Sequence, residues 1–256
     1  MRVLKNIRLL SCLMVLAAAS LWLMAFSTES TDITIYLIGD STMSEKEVRA
    51  YPETGWGTPF PHYFKEGVIV ENHAVNGRST RTFIEEGRWG PIVAKLKEGD
   101  YVFIQFGHND EDPGKTRYTP PDQFQQFLRQ YISETRGKGA QPVLLTPITR
   151  RQFDENGAVK ETHEEYSELM REVAESENVP LIDMDRKSQA LLNELGVDKS
   201  TLLFLHLKSG QNPNYPDGIT DNTHFSETGA RMMAELVIQG MQELELGVVN
   251  QLVNSQ

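Results

Sequence analysis

Five short apolar runs separated by helical or turn-rich stretches constrain this chain more than any other feature. They are Ile33 to Ile38, Val68 to Asn72, Tyr101 to Phe106, Pro142 to Leu145 and Leu181 to Met184. Most are apolar almost throughout instead of alternating, as strands covered on both faces must be. Alternation of such strands with helices implies βαβ crossovers, and therefore an α/β domain built on a parallel sheet. One helix is expected over Pro121 to Arg136, where Phe124, Phe127, Leu128, Tyr131 and Ile132 share a face, with Thr119 as its N-cap and Pro120 in its first turn. Thr162-His163-Glu164-Glu165 reads as a capping box opening a second. The last spans Ser226 to Leu246 and presents Ala230, Met233, Val237, Met241 and Leu244 to the core.

Ahead of these elements, Arg2, Lys5 and Arg8 precede an uncharged apolar run from Leu9 to Phe26. This reads as an export signal over residues 1–27, cleaved after Ala25-Phe26-Ser27, with an uncleaved membrane anchor as the alternative. Residues 28–256 then form one domain that works outside the cytoplasm, in a periplasm or secreted. Cys12 is the only cysteine and lies in this leader, so the domain has no thiol nucleophile, zinc–thiolate site or disulfide. The formal charge of −11 becomes more negative once the leader's three basic residues are set aside. Such a balance argues against nucleic acid or an anionic membrane face as partner, and an acidic polysaccharide would need local arginines.

Ligand sites in open parallel sheets form beyond the carboxyl ends of the strands, so the residues found there carry the functional reading. Strand one ends in Gly39-Asp40-Ser41-Thr42; a helical turn starting near Thr42 would aim the Ser41 amide outward beside its hydroxyl. "NHAVNGRSTRT" after strand two brings Gly77, an unobstructed amide, with Arg78 and Arg81. "FGHND" after strand three brings Asn109, whose amide side chain is a second donor. "TDNTHFSETGA" before the last helix sets Asp221 three residues ahead of His224, so that one tight loop supplies a base and the carboxylate that fixes its tautomer. Each fragment alone is ordinary turn or cap chemistry, but their convergence on one sheet edge is not. Two long segments, Asp110 to Pro121 and Lys208 to Asp221, are expected to form rims around this edge.

The four blocks resemble those of the SGNH (GDSL-type) hydrolases, centred on Ser41, Gly77, Asn109 and His224 in the family's order. "GDSTM", "NGRSTRTF", "QFGHND", "LLTPITRR" and "DNTHFSETGA" are most similar to the rhamnogalacturonan acetylesterase subgroup. Thr42-Met43, where many members have Leu after Ser, is shared by that subgroup, whereas the absence of cysteines departs from fungal relatives. The resemblance implies a flavodoxin-like, three-layer α/β/α sandwich with a five-stranded parallel sheet. It also implies hydrolysis of acetyl esters on pectic polysaccharide through an acetyl-enzyme, with Ser41, Asp221 and His224 catalytic. Ser41, Gly77 and Asn109 would form the oxyanion hole.

No metal or other cofactor is required, because these residues supply base and electrophile. His62, His73, His163 and His206 form no ligand pair, and His108 supports the site's geometry. Asp40 and Asp110 suggest a paired-carboxylate glycosidase, a reading that leaves Ser41 and the Asp221/His224 pair without work. On the substrate side, Tyr215 is a candidate sugar platform, and Arg78, Arg81, Arg150 and Arg151 are candidates for galacturonate carboxylates or for pairing with the protein's own acids. The competing functions are a short-chain lipid esterase or lysophospholipase on the same fold and a non-catalytic carbohydrate-binding protein.

Overall fold

Strand β1 (Ile33–Gly39) takes parallel partners on both sides, β2 (Val68–Asn72) and β3 (Tyr101–Gln105). With β4 (Gln141–Leu145) and β5 (Leu181–Ile182) these make an all-parallel sheet of order β2-β1-β3-β4-β5. The computed structural model describes residues 32–253. The expected export leader, Cys12 included, lies outside the described residues.

The pleat divides each strand between two cores. Ile35, Leu37, Phe103, Val143 and Leu145 face one, while Tyr36, Ile38, Val102, Ile104 and Leu144 face the other. Helices α1 (Thr80–Glu85), α2 (Trp89–Lys95), α3 (Pro121–Arg136) and α4 (Glu164–Ser176) bury Phe83, Ile92, Leu128 and Val173 in the second core. Helices α5 (Met184–Lys199), broken at Gly196, and α6 (Glu227–Glu243) bury Leu192, Met233 and Val237 in the first. Sheet and helices thus form the three-layer α/β/α sandwich, and the strand order is the flavodoxin-like one. The chain leaves β1 for the edge at β2 and returns to β3 on the other flank, so the crevice beyond the ends of β1 and β3 is the topological switch point.

Several local expectations are corrected. The fifth strand stops at Ile182, because the Asp183 carboxylate accepts the Arg186 amide (3.2 Å) and starts α5, so that Met184 is buried as a helical residue. Pro120, not Thr119, occupies the N-cap position of α3, with no side-chain cap. The capping box at α4 is absent: Thr162 Oγ1 instead accepts the Arg150 amide (2.9 Å) and lies 3.0 Å from the Thr149 hydroxyl. Helix α6 ends at Glu243, which leaves Leu244 exposed at its C-cap. The expected tight loop ahead of α6 is an antiparallel hairpin of β6 (Phe204–Leu207) and β7 (Ile219–Phe225), and β7 carries both Asp221 and His224.

Candidate active site

Why β1 runs straight into polar residues is visible in the turn that follows it. Asp40 is fully buried, and its Oδ1 accepts both the amide and the hydroxyl of Thr42 (2.9 Å each). The Met43 and Ser44 amides return to the Asp40 carbonyl, closing a single helical turn. Thr42 and Met43 are buried beneath, Trp56 and Gly57 donate their amides to the carbonyls of Thr42 and Met43, and Ser41 is left facing the crevice. Its amide meets no acceptor among the described residues.

Strand β7 delivers the base to this serine. His224 Nε2 lies 2.9 Å from Ser41 Oγ, and Nδ1 lies 2.7 Å from Asp221 Oδ2. Asp221 Oδ1 is held in turn by the amides of Thr223 (2.7 Å) and His224 (3.0 Å). Burial works to raise the Asp221 carboxyl, but the hydrogen bonds from the His224 ring and these amides outweigh it and hold the carboxyl at about 2. A permanent carboxylate therefore fixes the imidazole with its proton on Nδ1 and its lone pair toward Ser41. Such a relay can deprotonate the hydroxyl as it attacks a carbonyl.

Two further segments complete the rim. Gly77 has φ +75°, a left-handed conformation natural to glycine, and its amide also finds no acceptor among the described residues. Asn109 is buried, and one of its Nδ2 hydrogens goes to the Arg78 carbonyl (3.0 Å), which orients the amide and leaves the other hydrogen for the crevice. Ser41, Gly77, Asn109 and His224 thus line one crevice of about 530 Å³, to which no aliphatic or aromatic hydrocarbon side chain among the described residues contributes. His108 lines it as well. Its ring lies edge-to-face with His163 at 4.2 Å, and burial, aided by the neighbouring His163, drives its pKa well below the usual histidine range. Both of its ring nitrogens are without a partner among the described residues. Burial also pushes His163 down to about 3, so a neutral His163 donates from Nδ1 to Glu111 (2.7 Å).

The candidate substrate contacts fare differently. Arg78 bonds Glu86 (2.9 Å) and the Asn76 carbonyl, and Arg81 bonds Glu85 (2.6 Å) and the carbonyls of Thr116 and Tyr118. Arg150 faces the crevice but pairs with Glu111 (2.7 Å); Arg151 is bound to Ser200, Asn222 and Val197. The alternative of pairing within the protein holds for Arg78, Arg81 and Arg150. Tyr215 does not reach the crevice: its hydroxyl donates to the Ala50 carbonyl (2.8 Å), and Asn214 donates to Val48 and Tyr51, pinning the segment from Lys208 to the start of β7 onto the turn around residue 50. Asp40 and Asp110 are fully buried, and Asp110 serves the Thr80 amide, the Thr80 hydroxyl and the Gly107 amide. The glycosidase pairing fails because both carboxyl groups are buried behind the crevice and do not line it, Asp40 holding the Thr42 turn and Asp110 holding Thr80 and Gly107.

Two cations escape the sequence reading. Lys46 Nζ donates to the Ser41 carbonyl (2.5 Å) and Asn76 Oδ1 (2.8 Å) and pairs with Glu53 (2.9 Å), thereby tying the serine turn to the Gly77 loop. Arg117, from the long segment after β3, projects over Gly77: a Cβ built on that glycine would lie 3.3 Å from its Nη1. The length of that segment was the available signal for Arg117, whereas nothing local marks Lys46.

Comparison with known proteins agrees with this layout. Residues 37–232, from β1 into α6, match the model of the GDSL-like Lipase/Acylhydrolase family. Rhamnogalacturonan acetylesterase RhgT of Bacillus subtilis is 46% identical over 222 residues, which cover 87% of this chain and 95% of that protein. The probable rhamnogalacturonan acetylesterase YesY of the same organism is 39% identical over 225 residues, 86% of this chain and 97% of the relative. The crystal structure of B. subtilis YxiM superposes with a TM-score of 0.73 at 28% identity, covering 84% of this chain and 58% of YxiM. With the serine turn, the Gly77 and Asn109 loops and the histidine strand gathered at one switch point, and the match running through all of them, this chain belongs to the GDSL-like lipase/acylhydrolase family.

Proposed function

We propose that this chain is an exported serine esterase that removes acetyl groups from rhamnogalacturonan-type pectic polysaccharide. The observation that carries the reading is the unbroken chain Asp221–His224–Ser41, with 2.7 and 2.9 Å links, opening into a crevice beside two unengaged amides. The two acetylesterase relatives, at 46% and 39% identity over most of both chains, support the substrate. The charge and apolar pattern of residues 1–27 supports export, with residues 28–256 as the working domain.

In this reading His224 Nε2 takes the Ser41 proton as Oγ forms a bond to the acetyl carbonyl carbon. The oxygen that becomes negative is held by the Ser41 and Gly77 amides and by Asn109 Nδ2. Collapse breaks the bond to the sugar oxygen, which leaves as an alcohol with the proton from His224, and an acetyl-Ser41 remains. Water, deprotonated by the same imidazole, then adds to the acetyl carbon and releases acetate, returning the proton to Ser41. A small polar crevice suits an acetyl group on a sugar, whereas a fatty acyl chain would need an apolar lining.

The test is free acetate released from acetylated rhamnogalacturonan and from acetylated xylan by wild type and Ser41→Ala. The expected result is faster release from rhamnogalacturonan, abolished in the variant. The reverse ranking rejects the substrate, and full activity in Ser41→Ala rejects the mechanism.

A further inference from the structure

Two cationic side chains line the crevice, Arg117 and Arg150, and Arg150 is already neutralised by Glu111; Lys46, behind the Ser41 turn, is paired with Glu53. Arg117 has no hydrogen-bond acceptor and no ion-pair partner among the described residues, and its Nε is shut off from solvent without one. A guanidinium carries five donors in a planar fork and no acceptor, so with Nε closed off, an anion from outside would be held by the terminal Nη1 and Nη2, whose donors are unpaired among the described residues. The four arginines that sequence alone singled out are all engaged within the protein, which makes the vacancy at Arg117 specific to its position.

That position is informative. Nη1 would meet a Cβ on Gly77, the residue whose amide faces the reacting carbonyl in the proposed mechanism, so a group bound by Arg117 sits beside the ester. Arg117 also lies on the wall shared with an adjoining cleft of about 760 Å³, lined by polar side chains such as Lys115, Gln152 and Thr162, where sugars flanking the acetylated one have room. Of the acids around the two clefts, Glu53, Glu111 and Asp112 are each paired to a cation and oppose an incoming anion weakly, whereas Glu164 and Glu165, on the larger cleft, have no cation partner among the described residues and disfavour an anion on their side of it. A planar carboxylate matches the fork with two parallel hydrogen bonds.

We propose that Arg117 forms a carboxylate subsite that seats a uronic acid next to the ester presented to Ser41. It rests on the pectic reading above, of which it names the specificity-determining contact.

The experiment measures inhibition of nitrophenyl acetate hydrolysis by a deacetylated rhamnogalacturonan oligosaccharide and by the same oligosaccharide with its carboxyls reduced to alcohols. Wild type, Arg117→Gln and Arg117→Lys are compared, with active sites counted by phosphonate titration of Ser41 so that any misfolded fraction is removed from the comparison. In wild type the charged oligosaccharide should inhibit at concentrations about tenfold lower than the reduced one, the size expected of one charged hydrogen-bonded pair. That gap should shrink with added salt, fall to within about twofold in Arg117→Gln, and persist in part in Arg117→Lys. A gap absent from wild type, or retained in Arg117→Gln, overturns the proposal. Acetate release separates the two readings: release from acetylated rhamnogalacturonan without a gap removes only the subsite, and a gap without release removes only the activity.

Discussion

The Asp221 carboxylate is bound at both oxygens, Oδ2 to the His224 ring (2.7 Å) and Oδ1 to the amides of Thr223 and His224. This division predicts the effect of Asp221→Asn. The two amides require an acceptor, so the new carbonyl stays with them and the new NH₂ faces Nδ1. The imidazole must then carry its proton on Nε2, pointing at Ser41, and it no longer accepts the serine proton. The kcat for acetate release should fall by about 10³–10⁴ with the fold intact. Steady-state kinetics beside a thermal melt checks this, and a loss below tenfold would contradict the assigned role.

Asn109 gives one Nδ2 hydrogen to the Arg78 carbonyl, which orients the amide and leaves the second for the crevice, where the proposed mechanism forms the oxyanion. Asn109→Ala removes a donor whose value is greatest in the transition state. The expected result is a decrease in kcat of about 10²–10³ with KM changed little. A rise in KM at constant kcat would make Asn109 a ground-state contact instead.

Gly77 combines φ +75° with the Arg117 guanidinium above it. A methyl group at Gly77→Ala meets both constraints: left-handed backbone costs about 1–2 kcal/mol for a residue with a Cβ, and Nη1 must move. The melting temperature and kcat/KM should fall together, because the strain lies in the loop that positions the amide. A melt unchanged from wild type would show that the loop relaxes without cost.

What the sequence reveals and what it withholds follow from how local each signal is. β1, β3 and β4 are legible because strands covered on both faces must be apolar almost throughout, β2, at the sheet edge with none of its residues buried, is legible only from its β-branched Val68-Ile69-Val70, and Asp221 and His224 are legible because they lie three positions apart. The hairpin is not: Asp221-Asn222-Thr223-His224 has no strand pattern, and β7 forms because β6, a separate segment, supplies its ladder. Thr119 and Thr162 are good N-cap types, yet neither caps its helix, since Pro120 takes one position and the Thr162 hydroxyl is used by Arg150 and Thr149. Arg78, Arg81 and Arg150 look as available as Arg117 in one dimension. Only the fold decides which of them is given a carboxylate, and that is why the free one could not be selected beforehand.

Opposite linkages at two carboxylates predict the pH dependence of stability. Burial raises Asp110 from the ordinary 3.8 to about 7, against hydrogen bonds from Thr80. Its folded form therefore holds the proton more tightly than the unfolded chain does. The stability it contributes is present below about pH 4 and is lost as pH rises through about 7. Asp221, held at about 2 against the same 3.8, behaves in reverse: its contribution is present above about pH 4 and is lost as pH falls through about 2. Urea midpoints for wild type, Asp110→Asn and Asp221→Asn, measured from about pH 2.5 to pH 8, separate the two. Asp110→Asn should flatten the decline between about pH 4 and pH 7 and keep the fall below it, while Asp221→Asn should do the opposite. Because each asparagine also shifts overall stability by altering local hydrogen bonds, the slope of midpoint against pH is the readout. A slope in Asp110→Asn parallel to wild type would place the titrating group elsewhere.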